Sequence, residues 1–160
     1  MSDNIDQALC IVRGHFLQRS IELEMRINLF LSRYFGRTEE LKDDLFYHLF
    51  ITNRITFDAK VELFTIIIEN YHPEFKIDNP NYLKNLKEII EHRNNFAHLH
   101  LDITESGENA VMTGKIALAK YNKKDLTKTI QYNQDEINGY IDMIYNYIDA
   151  IDKFINVNDL

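Results

Sequence analysis

Residues 83–98 read LKNLKEIIEHRNNFAH, and this stretch decides how the middle of the chain folds. Its apolar residues recur at intervals of three and four, which is typical of one buried face of a helix. They are Leu83, Leu86, Ile89, Ile90 and Phe96. Asn79 followed by Pro80 supplies a favoured N-cap and a favoured first-turn residue, so the helix is predicted to begin there. The apolar pattern stops in residues 91–98, where the helix is expected to end.

Similar patterns predict helices on the N-terminal side. Residues 4–35 carry a long apolar stripe, and Gly36 stands where a left-handed C-cap would close that helix. Thr38 predicts the cap of a second helix, and Thr56 the cap of a third that ends before Pro73. The apolar faces of these two helices contain Leu41, Leu45 and Leu49 in the second and Phe57, Val61, Phe64 and Ile68 in the third.

The pattern changes on the C-terminal side. Two short runs of alternating apolar and polar residues flank residues 106–109, where Ser-Gly-Glu-Asn predicts a turn, so a small hairpin or an ordered loop is expected. Asn133 and Glu136 then form a variant of the capping box before a long last helix. The apolar face of that helix contains Ile137, Ile141, Ile144, Ile148, Ile151 and Ile155.

Together these patterns predict an all-α fold. It is an antiparallel bundle of about five helices, with a short β-hairpin-like insertion at about residues 99–132 between the last two. A chain of 160 residues with 45% hydrophobic content can bury a full core, and no Pro- or Gly-rich seam divides it. Residues 1–160 are therefore expected to form a single domain.

Composition restricts the possible functions. The net charge of -7 argues against a broadly basic nucleic-acid surface, although the lysines at 115, 120, 123, 124 and 128 could form a local positive lobe or a solvated loop. Cys10 is the single cysteine, which excludes an intrachain disulfide and a thiolate zinc site. No run reaches the roughly 18 uncharged apolar residues that span a bilayer, so a cytoplasmic protein without a membrane partner is expected.

Arg93 and His98 are the residues best suited to chemistry. An arginine stays protonated and can bind two phosphate oxygens at once, whereas a histidine changes charge near neutral pH and can transfer protons. On a continuous helix these two side chains project roughly 140° apart, while Asn94 and His98 share a face. Three arrangements would bring them together: the helix ends before His98, the arginine stem bends round, or two copies of the chain meet across a two-fold axis.

With Asn94 directly after the arginine and Ala97 directly before the histidine, residues 93–98 resemble the Arg-Asn-x-x-Ala-His signature of the HEPN superfamily. These small all-helical domains occur in many RNA-cleaving toxins and defence proteins. The resemblance implies a metal-independent endoribonuclease of a toxin-antitoxin or phage-defence system, acting on RNA as a homodimer. An antitoxin or another regulatory protein is the implied partner, and no cofactor or metal is implied.

The same resemblance implies roles for single residues. His98 would transfer a proton, Arg93 would hold the phosphate, and Asn94 would orient His98 or contact the RNA backbone. Lys60 belongs to a Phe-x-x-Lys pattern that looks like one seen in related sequences. His100 stands where antitoxin-paired members often carry a tyrosine that is modified, so that route of silencing is not expected here.

Glu24, Lys60 and His100 are further candidates for contacting the substrate or orienting the site. Glu24 and Asn28 lie on a second stripe of the first helix, which would face either the interior or a cleft; a surface position is the plainer alternative for Glu24. His92, His98 and His100 also allow a zinc site, although no carboxylate follows at a recognised spacing.

Two functional hypotheses stay open. Arg93 and His98 can simply neutralise the C-terminal end of a helix dipole, worth about 0.3–1 kcal/mol. In that case the chain would be a catalytically inactive HEPN-like module that dimerises or binds a partner, as many members of the superfamily do. This inactive module is the alternative to the active ribonuclease.

Overall fold

The computed structural model describes residues 2–52, 54–121 and 126–158. The chain is mostly helical and carries one small antiparallel sheet of three strands in the order β1-β2-β3. The helices are α1 Ser2–Phe35, α2 Glu39–Asp44 continued by a π-helical turn Leu45–Phe50, α3 Phe57–Tyr71, α4 Pro73–Asp78, α5 Tyr82–His98, α6 Glu105–Met112 and α7 Gln134–Val157. The strands are β1 His100–Leu101, β2 Lys115–Tyr121 and β3 Leu126–Asn133.

Contacts divide the chain into two compact units. The first, called the motif unit because it contains the motif Arg93–His98, comprises Met1–Arg19 and Glu91–Asp142. The second, called the helical unit, comprises Ser20–Ile90 and Met143–Leu160. Helices α1, α5 and α7 contribute residues to both. Buried side chains of the motif unit include Phe16, Phe96, Leu118, Tyr132 and Ile137, and those of the helical unit include Leu23, Ile27, Phe30, Phe64, Phe75, Tyr82, Ile144 and Ile151. Within the described ranges, none of the helices combines the length and apolar character needed to cross a bilayer.

Side-chain caps fix three helix starts where the sequence predicts them. The Thr38 hydroxyl accepts a hydrogen bond from Leu41 N at 3.2 Å, and the Thr56 hydroxyl accepts one from Ala59 N at 3.3 Å. Asn133 and Glu136 form the reciprocal pair of a capping box. Asn133 N donates to Glu136 Oε2 at 2.7 Å, and Glu136 N donates to Asn133 Oδ1 at 2.8 Å. These bonds satisfy backbone N–H groups that lack a partner inside the helix. The predicted caps are confirmed.

Gly36 closes α1 for a different reason from the one predicted. It does not adopt the left-handed conformation, since Gly114 is the glycine of the described ranges with positive φ, at 74°. Instead, a Cβ at Gly36 would lie 2.5 Å from Lys42 Cγ and 2.7 Å from Ser32 O. The left-handed cap is therefore a wrong prediction. A glycine stands there because the chain after α1 returns too close for any side chain.

The start of α5 is also shifted. Pro73 ends α3 but opens α4, a short helix that the sequence analysis does not predict, and Phe75 of α4 is buried. Asn79 ends α4 with its amide donating to Phe75 O at 3.0 Å, and α5 begins at Tyr82. The prediction of Asn79 as the N-cap is wrong. Burial of Phe75 favours one more helical turn over the expected direct entry into α5.

The insertion is larger than a hairpin. Residues 106–109 lie inside α6 and not in a turn; the turn comes at Gly114, after which β2 and β3 pair with Leu118 opposite Ile130. Of the lysine-rich segment, Lys115 and Lys120 are exposed on β2, so it is not a loop there; Lys123 and Lys124 fall outside the described residues.

Asp102 links the parts of this insertion. Its backbone N donates to Ala117 O on β2 at 2.9 Å. Its carboxylate accepts from the N and Oγ1 of Thr104 and from Thr129 Oγ1 on β3 at 3.2 Å. A Cβ at Gly107 would overlap the Asp102 carbonyl oxygen, so α6 packs directly on this residue. Gly107 is thus needed for close packing, which explains why its turn-like sequence misleads.

We expect Gly107→Ala to destabilise the protein by about 1–3 kcal/mol, because the added methyl group would meet backbone atoms that cannot move aside. The matched control is Gly14→Ala in α1, where no atom lies within 4 Å of the new Cβ. That substitution should stabilise the protein by about 0.5–1 kcal/mol, since alanine favours the helix interior. Urea unfolding midpoints measure both changes. Equal midpoints for the two variants would contradict the close approach.

Candidate functional site

The last turns of α5 carry the motif, residues 93–98. The helix continues through His98, and Leu99 N still donates to Asn95 O at 2.9 Å. The arrangement in which the helix ends before His98 is therefore wrong. Asn94 and His98 are exposed and lie one turn apart on the same face. His98 has no hydrogen-bond or ion-pair partner among the described residues.

The Arg93 side chain bends toward this exposed face. Its Nη1 donates a hydrogen bond to Asn94 Oδ1 at 3.0 Å. Asn94 is the i−4 neighbour of His98, so this bond draws the guanidinium from its own side of the helix toward the histidine side. Of the arrangements that the sequence allows, a bent arginine stem is the one present within a single chain. The guanidinium keeps further N–H groups for an anionic ligand.

The opposite face of the same turns is packed against other elements of the motif unit. The Phe96 ring lies between Phe16 of α1, with centroids 4.8 Å apart, and Tyr132 of β3, at 4.9 Å. The His92 ring lies 4.0 Å from the ring of Tyr140 on α7. Three elements therefore hold the end of α5.

The Tyr132 hydroxyl is the polar centre of this packing. It accepts a hydrogen bond from Asn95 Nδ2 at 3.1 Å and lies 2.9 Å from His92 Nδ1. Burial, partly offset by the bond from Asn95, raises the pKa of Tyr132 to about 12. The phenol therefore keeps its proton at neutral pH. Tyr132 cannot be recognised from the sequence as part of this site, because it lies far along the chain from residues 93–98. Its position in a strand pattern is the one signal that marks it.

No family model, no curated protein and no solved structure matches this chain. The likeness to the HEPN superfamily therefore rests on the six residues from Arg93 to His98 and on their position at the end of a helix.

Glu24 and Lys60 form a separate pair in the helical unit. Lys60 Nζ donates to Glu24 Oε1 at 2.5 Å; the lysine side chain is 2% exposed and the glutamate side chain 21%. Asn28, one turn after Glu24, is buried, and its Oδ1 has no partner within the described ranges. The structure brings these two predicted candidates together, whereas Arg93, Asn94, His98 and His100 belong to the motif unit.

His100 lies on β1, exposed and paired with Ala119 of β2. His98 ends α5 two residues earlier, so the two histidines lie on different elements. Among the described residues, no three His, Cys, Asp or Glu side chains lie close enough to hold a metal ion. The zinc alternative therefore gains no support from the described residues.

The tyrosines of α7 are largely packing residues. Tyr147 is buried, and its hydroxyl accepts a hydrogen bond from Asn85 of α5 at 2.8 Å. Tyr140 packs on His92, as described above. Both side chains therefore serve packing within the chain.

We expect Glu24→Ala to cost more stability than Lys60→Met. The first change leaves a buried ammonium group without its counter-charge, at about 2–3 kcal/mol after allowing for the partial exposure of Glu24. The second keeps the apolar stem and leaves a carboxylate that water can reach, at about 1 kcal/mol or less. Urea unfolding at pH 7 measures the order. The reverse order would show that the pair does not stabilise Lys60 in its charged form.

Proposed function

We propose that this protein is a metal-independent endoribonuclease of a toxin-antitoxin or phage-defence type. The observation that carries the proposal is the hydrogen bond from Arg93 to Asn94, which turns a permanent cation toward the face that presents His98. A guanidinium turned toward the helix face of an imidazole that has no partner among the described residues suits phosphodiester cleavage. The motif resemblance supports the same conclusion.

The reaction uses these side chains together with the 2′-hydroxyl of the RNA itself. The 2′-oxygen attacks the adjacent phosphorus while its proton passes to a base, and the bond from phosphorus to the 5′-oxygen breaks as that oxygen receives a proton. His98 performs one of these proton transfers. Arg93 stabilises the charge on the phosphate oxygens in the transition state. The products are a 2′,3′-cyclic phosphate and a 5′-hydroxyl.

Asn94 has two tasks in this proposal. Its Oδ1 already holds Arg93, and its place one turn before His98 puts its amide beside the same substrate. It therefore orients the catalytic pair. Glu24, Lys60 and His100 are assigned no step here, because the first two pair with each other and the third lies on β1.

We further propose that two copies of the chain act together on cytoplasmic RNA. A two-fold dimer that joins the motif faces would place two Arg93 and two His98 side chains around one strand. Such a cluster provides local positive potential on a chain whose net charge is -7. An antitoxin or regulatory protein that covers this face would keep the enzyme silent.

The direct test is RNA cleavage in EDTA by the wild type, His98→Ala and Arg93→Ala. We expect each substitution to lower the rate by about 10²–10⁴-fold, the usual contribution of a proton-transfer or charge-stabilising group. His48→Ala and Arg37→Ala remove an exposed histidine and an exposed arginine of the helical unit and should keep wild-type rates. Product strands are measured on denaturing gels.

Two results would count against the enzyme. Equal cleavage by all five proteins would reveal a contaminating nuclease, and no cleavage by a folded wild type would favour the inactive dimerisation or partner-binding module. The structure offers one observation for that module: His98 in the last turn suits the negative end of the helix dipole without any chemistry.

The substrate provides an independent prediction. Replacing the ribose at the cleaved position by 2′-deoxyribose removes the attacking group, so cleavage there should stop, while deoxy substitution elsewhere should have little effect. Mass spectrometry of the products from unmodified RNA should detect the 2′,3′-cyclic phosphate. Continued cleavage at the deoxy position would mean that water or a metal-bound hydroxide attacks instead.

A further inference from the structure

We propose that Tyr132 is a positioning residue for this site: its hydroxyl binds His92 and Asn95 and thereby sets the rotation of the helix end that presents Arg93, Asn94 and His98. The inference rests on the proposed function and adds to it a residue outside the motif. Tyr132 lies on β3, and the residues that it holds lie on α5, all within the motif unit.

The hydrogen bonds at the hydroxyl have one consistent direction. Asn95 Nδ2 can only donate, so it takes a lone pair of the Tyr132 oxygen. The hydroxyl has a single proton, and His92 Nδ1, which lies 2.9 Å away, can accept it when the ring is neutral. Because Tyr132 is 3% exposed, leaving that proton unbonded would be costly. With the phenol as donor to Nδ1, a neutral His92 ring carries its proton on Nε2.

Asn94 and His98 lie on the side of α5 that faces away from His92 and Phe96. At about 100° per residue, His92, Asn95 and Phe96 fall within roughly 100° of one another, and Asn94 and His98 project away from His92 and Phe96. A rotation of the helix end by about 20° would move a side-chain tip about 6 Å from the axis by roughly 2 Å. Displacements of about 1 Å can cost up to about 100-fold in rate. The hydroxyl thus controls the geometry of groups that it does not touch.

Ring packing is less directional than hydrogen bonding. Phe96 packs on Phe16 and Tyr132 with ring planes tilted by 34° and 31°. Hydrogen bonds, in contrast, lose strength steeply away from their preferred geometry. Two hydrogen bonds from residues three apart on one helix constrain both its rotation and its translation.

The test is Tyr132→Phe, which removes the hydroxyl and keeps the ring. The matched control is Tyr147→Phe, because Tyr147 is also buried and its hydroxyl also accepts from an asparagine of α5, Asn85, earlier in the helix. We expect kcat of Tyr132→Phe to fall by about 10–100-fold with KM within roughly twofold of the wild type. Tyr147→Phe should retain wild-type kcat.

A conservative substitution separates positioning by His92 from proton transfer by His92. Asparagine at position 92 still offers an oxygen acceptor to Tyr132, whereas leucine offers none. His92→Asn should therefore keep most of the activity that His92→Leu loses. Loss of activity to the same extent in both variants, with Tyr132→Phe still active, would overturn the positioning role.

Nuclear magnetic resonance provides a readout that does not depend on activity. Imidazole ¹⁵N shifts should identify His92 as the Nε2-protonated form in the wild type and as a mixture of forms in Tyr132→Phe. Backbone amide shifts of residues 93–98 should change in Tyr132→Phe and stay unchanged in Tyr147→Phe.

These shifts keep the two proposals distinguishable. If the folded wild type cleaves no RNA, the ribonuclease proposal fails, and the positioning role is then judged on the shifts alone. Changes confined to Tyr132→Phe support it, and unchanged shifts at residues 93–98 overturn it. If the wild type cleaves RNA and Tyr132→Phe cleaves it with the same kcat, the positioning role fails while the ribonuclease stands.

Discussion

The buried hydroxyl of Tyr132 is the constraint on which the geometry of the candidate site depends. A polar group in the interior must find its partners there, and this one finds them on α5. Because His92 and Asn95 must face β3, the residues between and after them have little freedom in direction. Asn94 and His98 are exposed because this pairing and the burial of Phe96 turn the other side of the helix inward.

Local rules predict the helix content well. Capping side chains and three-and-four spacing act over a few residues, so Thr38, Thr56 and the Asn133–Glu136 box could be assigned from the sequence alone. The failures occur where distant backbone decides the outcome. Gly36 and Gly107 resemble turn or cap glycines, but each is required by a segment that packs against it. No sequence rule of short range contains that information.

The candidate site shows the same division. The pattern from Arg93 to His98 identifies the chemical groups. Helical geometry predicts that the Arg93 and His98 side chains point in different directions, and it leaves open which of three arrangements brings them together. The bond from Arg93 to Asn94 selects among them within one chain. Tyr132, which supports the site, lies 37 residues after Asn95 and 40 after His92 in the sequence. Its strand is predicted from the sequence only as part of a hairpin or loop. Side chains that converge from separate elements require the fold to be known first.

The contacts of Asp102 have a consequence for how the insertion can change in length. The Asp102 carboxylate accepts hydrogen bonds from Thr104 and Thr129. The backbone of Asp102 donates a hydrogen bond to β2 and packs against Gly107 of α6. Adding or removing a single amino acid between β1 and α6 would change how Asp102 meets Thr104 or the α6 residue Gly107, which both lie just beyond it in the chain. Length variation is therefore poorly tolerated at this short connection, even though it lies outside any regular element.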